Sequence, residues 1–254
     1  MLIDAHAHLE MKEFDADREA VLGRAAAAGV DYIITVGTDI KLSQKALSLA
    51  SSYQNVFATV GIHPHEADTA TQENLDIIAK MALHQKVVAY GEIGLDFFRD
   101  LAPREMQKDA FARQLNIAAE LNLPVVIHDR NAHDLVLKMV EESGVRRGVF
   151  HCFSGDYQMA EKCIALGFYI SIPGTVTFDK TNKTSDVVKN IPLEWLLLET
   201  DCPYLSPAPY RGKRNEPSFI VHTAKKVAQI KNLPWEEVAH ATAQNTKTLF
   251  GLPL

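Results

Sequence analysis

The sequence predicts an α/β fold: a (β/α)8 barrel of the TIM type, a single domain over residues 1–254, with extra helices after the eighth strand. Two observations carry this expectation. Eight short apolar segments rich in β-branched residues alternate with amphipathic stretches, the pattern that pairs strands in parallel through helical crossovers. Their ends recur roughly every 30 residues, and the length of 254 residues suits an eightfold barrel of about 250. An open doubly wound sheet is the rival. It usually carries a glycine-rich phosphate loop after its first strand, and His6-Ala7-His8-Leu9-Glu10 stands there instead.

In chain order, the predicted strands are 2–9, 32–37, 56–62, 87–93, 125–128, 148–151, 168–172 and 195–199. The clearest helix runs over 105–121, where Phe111, Leu115 and Ala118 recur at i, i+4 and i+7. After the eighth strand, residues 201–217 contain Pro203, Pro207, Pro209 and Pro217 and read as a long ordered loop, a kind of segment that is usually functional. Pro217 then opens a helix with Ile220, Ala224, Val227 and Ala228 inward, and Pro234 opens another carrying Val238, Ala241, Thr242 and Leu249. With no Gly/Ser linker, low-complexity tract or internal repeat to divide the chain, one domain is expected.

Composition excludes several classes of function. Hydrophobic residues make up 47% and charged residues 23%, which is ordinary globular composition. Lys and Arg number 26 against 32 Asp and Glu, a formal net charge of −6, so bulk positive charge cannot be what holds nucleic acid. No apolar run approaches the ~18 residues of a membrane span. The first residues lack a basic stretch and meet Asp4 early, so no secretory signal is expected. Cys152, Cys163 and Cys202 cannot all pair within one chain, which fits a reducing, cytoplasmic compartment.

Barrel enzymes place their reactive groups at the carboxyl ends of strands. Those positions hold His6 and His8, Glu92, His128, His151 and Asp201. Residues i and i+2 of a strand share a face, so both imidazoles of His6-Ala7-His8 can reach one ion. Four histidines and two acids gathered at one end would leave several ionisable groups buried and unpaired unless a metal joined them. Six N and O ligands exceed one tetrahedral site and suit a two-metal hydrolytic centre of zinc, manganese, iron or magnesium. Glu92, on a central strand, is the expected bridge, and Asp201 the expected ligand and general base.

Other candidates are weaker. His63-Pro64-His65 closes the third strand, where Pro64 shows the chain already leaving the sheet; His63 reads as a pocket donor and His65 as solvated or outside the ligand set. His84, His133, His222 and His240 fall in helical stretches as surface or packing residues. Cys152 and Cys202 follow proposed ligands and, by strand alternation, should face the helix layer as inert thiols. Ser154 lacks a nucleophile elbow and reads as a rim donor. In Tyr210-Arg211-Gly212-Lys213-Arg214-Asn215-Glu216, three cations around a glycine fit a phosphate clamp; a solvated cluster partly balanced by Glu216 is the alternative. Arg99 and Arg130 are further candidates for phosphate.

Seven ordered motifs resemble one family. They are Asp4-Ala5-His6-Ala7-His8-Leu9, Gly61-Ile62-His63-Pro64, Gly91-Glu92-Ile93-Gly94-Leu95-Asp96, Pro124-Val125-Val126-Ile127-His128, His151-Cys152-Phe153-Ser154-Gly155, Glu199-Thr200-Asp201-Cys202-Pro203-Tyr204 and Arg211-Gly212-Lys213-Arg214-Asn215-Glu216-Pro217. Together they resemble the TatD family of metal-dependent deoxyribonucleases, in the amidohydrolase superfamily of distorted eightfold barrels, over residues 2–251. The resemblance implies two divalent ions, magnesium or manganese with zinc an option, on His6, His8, Glu92, His128, His151 and Asp201. It also implies 3′-to-5′ exonuclease action on DNA, expected at single-stranded ends. His63, Ser154, Tyr204, Arg211 and Arg214 are the expected substrate contacts, and a monomer is the expected state. Two rivals remain: a hydrolase of a small amide, lactone or phosphoester, and a metal-stabilised barrel that binds without catalysis.

Overall fold

The computed structural model describes residues 1–253. The β-branched and apolar segments form eight strands: β1 (Leu2–Ala7), β2 (Val30–Val36), β3 (Val56–Val60), β4 (Val87–Asp96), β5 (Val125–Arg130), β6 (Gly148–Phe150), β7 (Phe168–Ile172) and β8 (Leu196–Leu198). They lie in sequence order in one sheet, each pairing in parallel with the next. The seam between β8 and β1 is joined by Asp201 N–H to the His6 carbonyl at 2.9 Å and His8 N–H to the Cys202 carbonyl at 2.8 Å. Across the same seam, Thr200 gives its N–H (2.9 Å) and hydroxyl (2.6 Å) to the Asp4 carboxylate. The result is the expected nearly closed eightfold barrel.

Helices alternate with the strands: α1 (Arg18–Ala27), α2 (Ile40–Ser52), α3 (Gln72–Ala82), α4 (Arg104–Glu120), α5 (His133–Ser143), α6 (Tyr157–Ala165) and α7 (Lys183–Asn190). Short acids and hydroxyls set several starts. The Asp39, Thr71 and Asp156 side chains accept N–H bonds from Leu42, Asn74 and Met159, filling donors that a first helical turn leaves open. The two added helices, α8 (Ile220–Lys231) and α9 (Trp235–Phe250), follow the proline-rich loop. Ile220, Ala224, Val227 and Ala228 are buried as expected; in α9 Val238, Thr242 and Leu249 are buried, but Ala243 takes the inward place expected of Ala241, which is half-buried. His84 lies in the turn after α3 rather than in a helix.

Apolar side chains fill two layers. The larger packs helices against the outside of the sheet, with Val136, Val140, Phe111 and Leu115 among its members. The other includes Val126, which by strand alternation shares a face of β5 with His128, together with Val149 and Leu197, and it is closed by Leu249, Phe250 and Leu252. Only β7 ends where expected; β1, β2, β3, β6 and β8 stop one or two residues early, and β4 and β5 run on by three and two. β4 runs on to Asp96 because Gly91 (φ 155°) and Gly94 (φ 150°) carry it through a register shift between Tyr90 and Ile93. At Gly94 a Cβ would stand 1.9 Å from the His128 carbonyl oxygen, so β4 and β5 approach here as only glycine permits. β6 stops at Phe150, which puts His151 and Cys152 in the turn beyond it.

Candidate metal centre

The first strand delivers two imidazoles to one point. His6 Nε2 and His8 Nε2 lie 3.3 Å apart. Around them stand Glu92 Oε2, 3.4 Å from His6 and 3.9 Å from His8, and Asp201 Oδ1, 3.7 and 3.5 Å from the same atoms. A tetrahedral set bonded at about 2.1 Å has edges of about 3.4 Å, close to this spacing. His8 Nδ1 faces the Val36 carbonyl at 3.0 Å, so it carries the proton and leaves Nε2 with a bare lone pair aimed at its neighbours. Lone pairs from imidazoles and carboxylates converging in this way are the donor set a divalent cation requires.

A second group gathers on the other oxygen of Glu92. His128 Nδ1 lies 2.7 Å, His151 Nε2 3.0 Å and His63 Nε2 3.4 Å from Oε1. Glu92 thus sends one oxygen to each group, which is the geometry of a bridging carboxylate. His128 Nε2 stands 3.2 Å from Asp96 Oδ2 and donates to it, which leaves Nδ1 with a lone pair free toward the cluster. His63 is different. Its Nδ1 accepts the His65 N–H at 3.1 Å, so Nε2 holds the proton and acts as a donor. The sequence therefore brings all six expected ligands to one mouth, with His63 beside them as a neutral hydrogen-bond donor.

Three further acids, assigned no role from the sequence, stand behind the histidines. Glu10 Oε1 lies 3.2 Å from His8 Nδ1, Asp96 Oδ2 contacts both His128 and His65 (2.8 Å), and Glu199 Oε1 is 3.4 Å from His151 Nδ1. Glu10 is itself fixed by the Thr35 hydroxyl at 2.6 Å. Carboxylates so placed orient an imidazole and raise its basicity toward a metal. The signal in the sequence is proximity: Glu10 follows His8 by two, Asp96 follows Glu92 by four, and Glu199 precedes Asp201 by two.

The electrostatics agree with a cation site. Burial works against charge on Glu92 and Asp201, but the facing histidines outweigh it and hold both carboxyls below their usual values, so both are ionised. Burial likewise opposes charge on His8, His128 and His151, yet the surrounding carboxylates raise all three. The cluster draws positive charge inward, and divalent cations satisfy the same field with the imidazoles neutral. His6 and His63 depart from this pattern: burial pushes both down, with His151 adding to the effect at His6, and His63 falls to about 4. Asp4 goes up to about 8 by burial, against its hydrogen bonds from Thr200 and His6.

The remaining candidates are spread around the mouth. Tyr204 is exposed and sits edge-on to His8, ring centres 6.4 Å apart. Ser154 lies at the rim, its hydroxyl on the Asp129 carbonyl at 3.3 Å. Arg211 is exposed and stacks on Phe178 at 4.1 Å. Arg214, expected as a phosphate fork, is instead committed to Asp17 at 2.8 and 2.7 Å and to the Glu13 carbonyl at 2.6 Å. Glu216 acts on Arg214 through charge, but its hydrogen bonds go to a more distant cation. Arg24 takes it with three hydrogen bonds, the shortest 2.6 Å. Asn215, wholly buried, staples the loop through the Thr200 and Tyr204 carbonyls at 2.8 and 2.6 Å. His65 takes the second of its two expected places, on Asp96 behind His128. Cys152 lies beyond β6 with φ 45°, so strand alternation does not govern it, but burial raises its thiol well above the usual range, as it does for Cys202. Among the described residues, no helix is long and apolar enough to cross a membrane.

An eightfold parallel barrel that gathers histidines and carboxylates at the carboxyl end of its strands is the architecture of a metal-dependent hydrolase. The chain belongs to the TatD related DNase family, whose model matches residues 3–251. It is similar to the uncharacterized metal-dependent hydrolase YabD of Bacillus subtilis, 42% identical over 252 residues, which are 98% of this chain and 99% of that one. It is also similar to the 3'-5' ssDNA/RNA exonuclease TatD of Escherichia coli, 36% identical over 258 residues, 99% of each. Its backbone is similar to the crystal structure of YjjV, a TatD homologue from Escherichia coli, with a TM-score of 0.94, 37% identity and coverage of 99% of this chain and 98% of that one.

Proposed function

We propose that the chain works as one catalytic domain, a nuclease that removes nucleotides from the 3′ end of single-stranded DNA with two divalent cations, magnesium or manganese. The observation that carries this reading is the division of the Glu92 carboxylate, Oε2 toward His6 and His8 and Oε1 toward His128 and His151. His6, His8, Glu92 and Asp201 would hold one ion, and Glu92, His128 and His151 the other. Cations so held lower the pKa of water and stabilise charge that builds on a phosphoryl group. The name of the TatD relative supports a single-stranded polynucleotide as substrate.

The chain's own groups then have separate tasks. Asp201, ionised and only partly buried, takes the proton of the attacking water. His63, neutral with its proton on Nε2, gives a hydrogen bond to a non-bridging phosphate oxygen. Tyr204 offers a ring to the base nearest His8. Arg211 and the rim hydroxyl of Ser154 meet the neighbouring phosphate.

The test is digestion of 5′-labelled single-stranded and duplex DNA with magnesium, manganese or zinc. A ladder shortening from the 3′ end of the single strand, abolished by EDTA, is expected. Turnover of small esters or lactones with no oligonucleotide cleaved under any ion would overturn the reading in favour of a small-molecule hydrolase. Oligonucleotide binding with no turnover of any substrate would leave a binding barrel.

A further inference from the structure

Among the described residues two aromatic rings stand exposed, Tyr204 at 51% and Phe98 at 59%. Tyr204 follows β8, and Phe98 follows β4. In a ring of eight strands in sequence order these positions are half a circuit apart, so the two rings flank the mouth from opposite sides.

The Phe98 side is built and held. Asp96 Oδ1 accepts the backbone N–H groups of Phe98 (3.0 Å) and Arg99 (2.8 Å), while its Oδ2 meets His65 and His128. One carboxylate therefore fixes the turn carrying Phe98 relative to the metal centre. Phe97 N–H bonds the Arg130 carbonyl at 2.9 Å, locking the same turn to the end of β5. Arg130 comes two residues after His128 on that strand, on the same face and roughly 7 Å further out. Its guanidinium lies 4.0 Å from the centre of the Phe98 ring. Arg18, Arg24, Arg104, Arg113 and Arg214 are each tied to a carboxylate, whereas the partner of Arg130 is this ring.

An aromatic ring and an arginine held together beside the histidine and carboxylate cluster have a specific use. The ring accepts the flat face of any base, and the guanidinium keeps N–H donors for phosphate oxygens. We infer that Phe98 and Arg130 form a subsite for one nucleotide of a single strand, its base on the Phe98 ring and its phosphate on Arg130, across the cleaved bond from Tyr204. This rests on the nuclease reading above and adds to it the position of the second base.

The experiment uses oligothymidine, the same oligomer with an abasic residue placed next to the cleaved linkage, and a phosphorothioate-capped version that resists cleavage. Phe98→Ala should raise KM for oligothymidine about tenfold with kcat changed less than twofold, Phe98→Trp should restore KM, and the abasic oligomer should not distinguish Phe98→Ala from wild type. Arg130→Gln should raise KM for both oligomers. The indole of Phe98→Trp should be quenched by the capped oligomer and not by inorganic phosphate. If the wild type digests oligothymidine while Phe98→Ala keeps its KM, or the indole emission does not respond, the subsite is wrong and the nuclease stands. If the wild type cleaves no oligonucleotide with any ion, the nuclease reading fails, and the subsite with it.

Discussion

Glu199 Oε1 accepts the backbone N–H of Cys152 at 2.6 Å, tying the last strand of the barrel to the turn that carries His151. Cys152 has φ 45°, a left-handed conformation that a non-glycine residue keeps only when its surroundings hold it. Removing the acceptor in Glu199→Ala leaves a buried N–H unpaired, at a cost of about 1–3 kcal/mol in denaturant unfolding. Glu199→Gln keeps an oxygen for Cys152 but no charge behind His151. It should unfold closer to wild type while losing about 10–100-fold in divalent metal affinity, measured by chelator competition. Equal metal affinity in Glu199→Gln and wild type would show that Glu199 serves the backbone alone.

Asp201→Asn retains the shape of the side chain but cannot accept a proton. Its kcat on single-stranded DNA should fall by about 10²–10⁴-fold. Glu92→Ala should abolish turnover by removing the group shared by both halves of the centre. Far-UV circular dichroism should show the barrel intact in each, and near-wild-type kcat in Asp201→Asn would assign the base elsewhere.

The two arginines of the proline-rich loop should separate cleanly. Arg211→Ala removes an exposed phosphate contact, so the slope of log affinity for single-stranded DNA against log salt should flatten by about 0.7. Arg214 is held by Asp17 and Glu13, so Arg214→Ala should lower Tm and leave the salt slope unchanged. Salt titrations monitored by fluorescence anisotropy, together with thermal melts, decide the assignment.

Glu216 provides a pH test away from the metal centre. Burial alone would raise its pKa, but Arg24 and the Ser218 hydroxyl outweigh burial and hold it below the ordinary value. A depressed folded-state pKa means the contribution is complete above the unfolded value, about 4.3, and is lost as pH falls through the folded one. Because Arg24 is half exposed, the pair should contribute about 1 kcal/mol or less. Wild type should exceed Glu216→Gln in stability by that amount at pH 7, and urea unfolding should show the gap closing below about pH 4.

Much of this was readable beforehand, and for identifiable reasons. All eight strands are legible because each is a short apolar run, most of them β-branched, and the six ligand candidates because each lies near the carboxyl end of one. Strand ends were less legible. The β4 extension depends on two glycines with positive φ, whose role in a bulge appears only when neighbouring strands are in register. Glu10, Asp96 and Glu199 carry no sequence signal of their role beyond nearness to the ligand candidates, because they touch imidazoles rather than the mouth. Arg214 looked free because its partner Asp17 lies at the far end of the sequence, and Glu216 looked like a neighbour of the cations because Arg24 is equally remote. Pairings across such separations leave no local pattern.

The seam closed by Asp201 N–H on the His6 carbonyl also fixes a schedule. A ribosome releases His6 and His8 first and Asp201 some two hundred residues later, so a nascent chain cannot assemble the proposed ligand set of the first cation until most of the polypeptide has emerged. On that ligand set, hydrolytic competence waits for the end of synthesis, and a product truncated before β8 would lack Asp201 and the bond that joins the barrel's two edges.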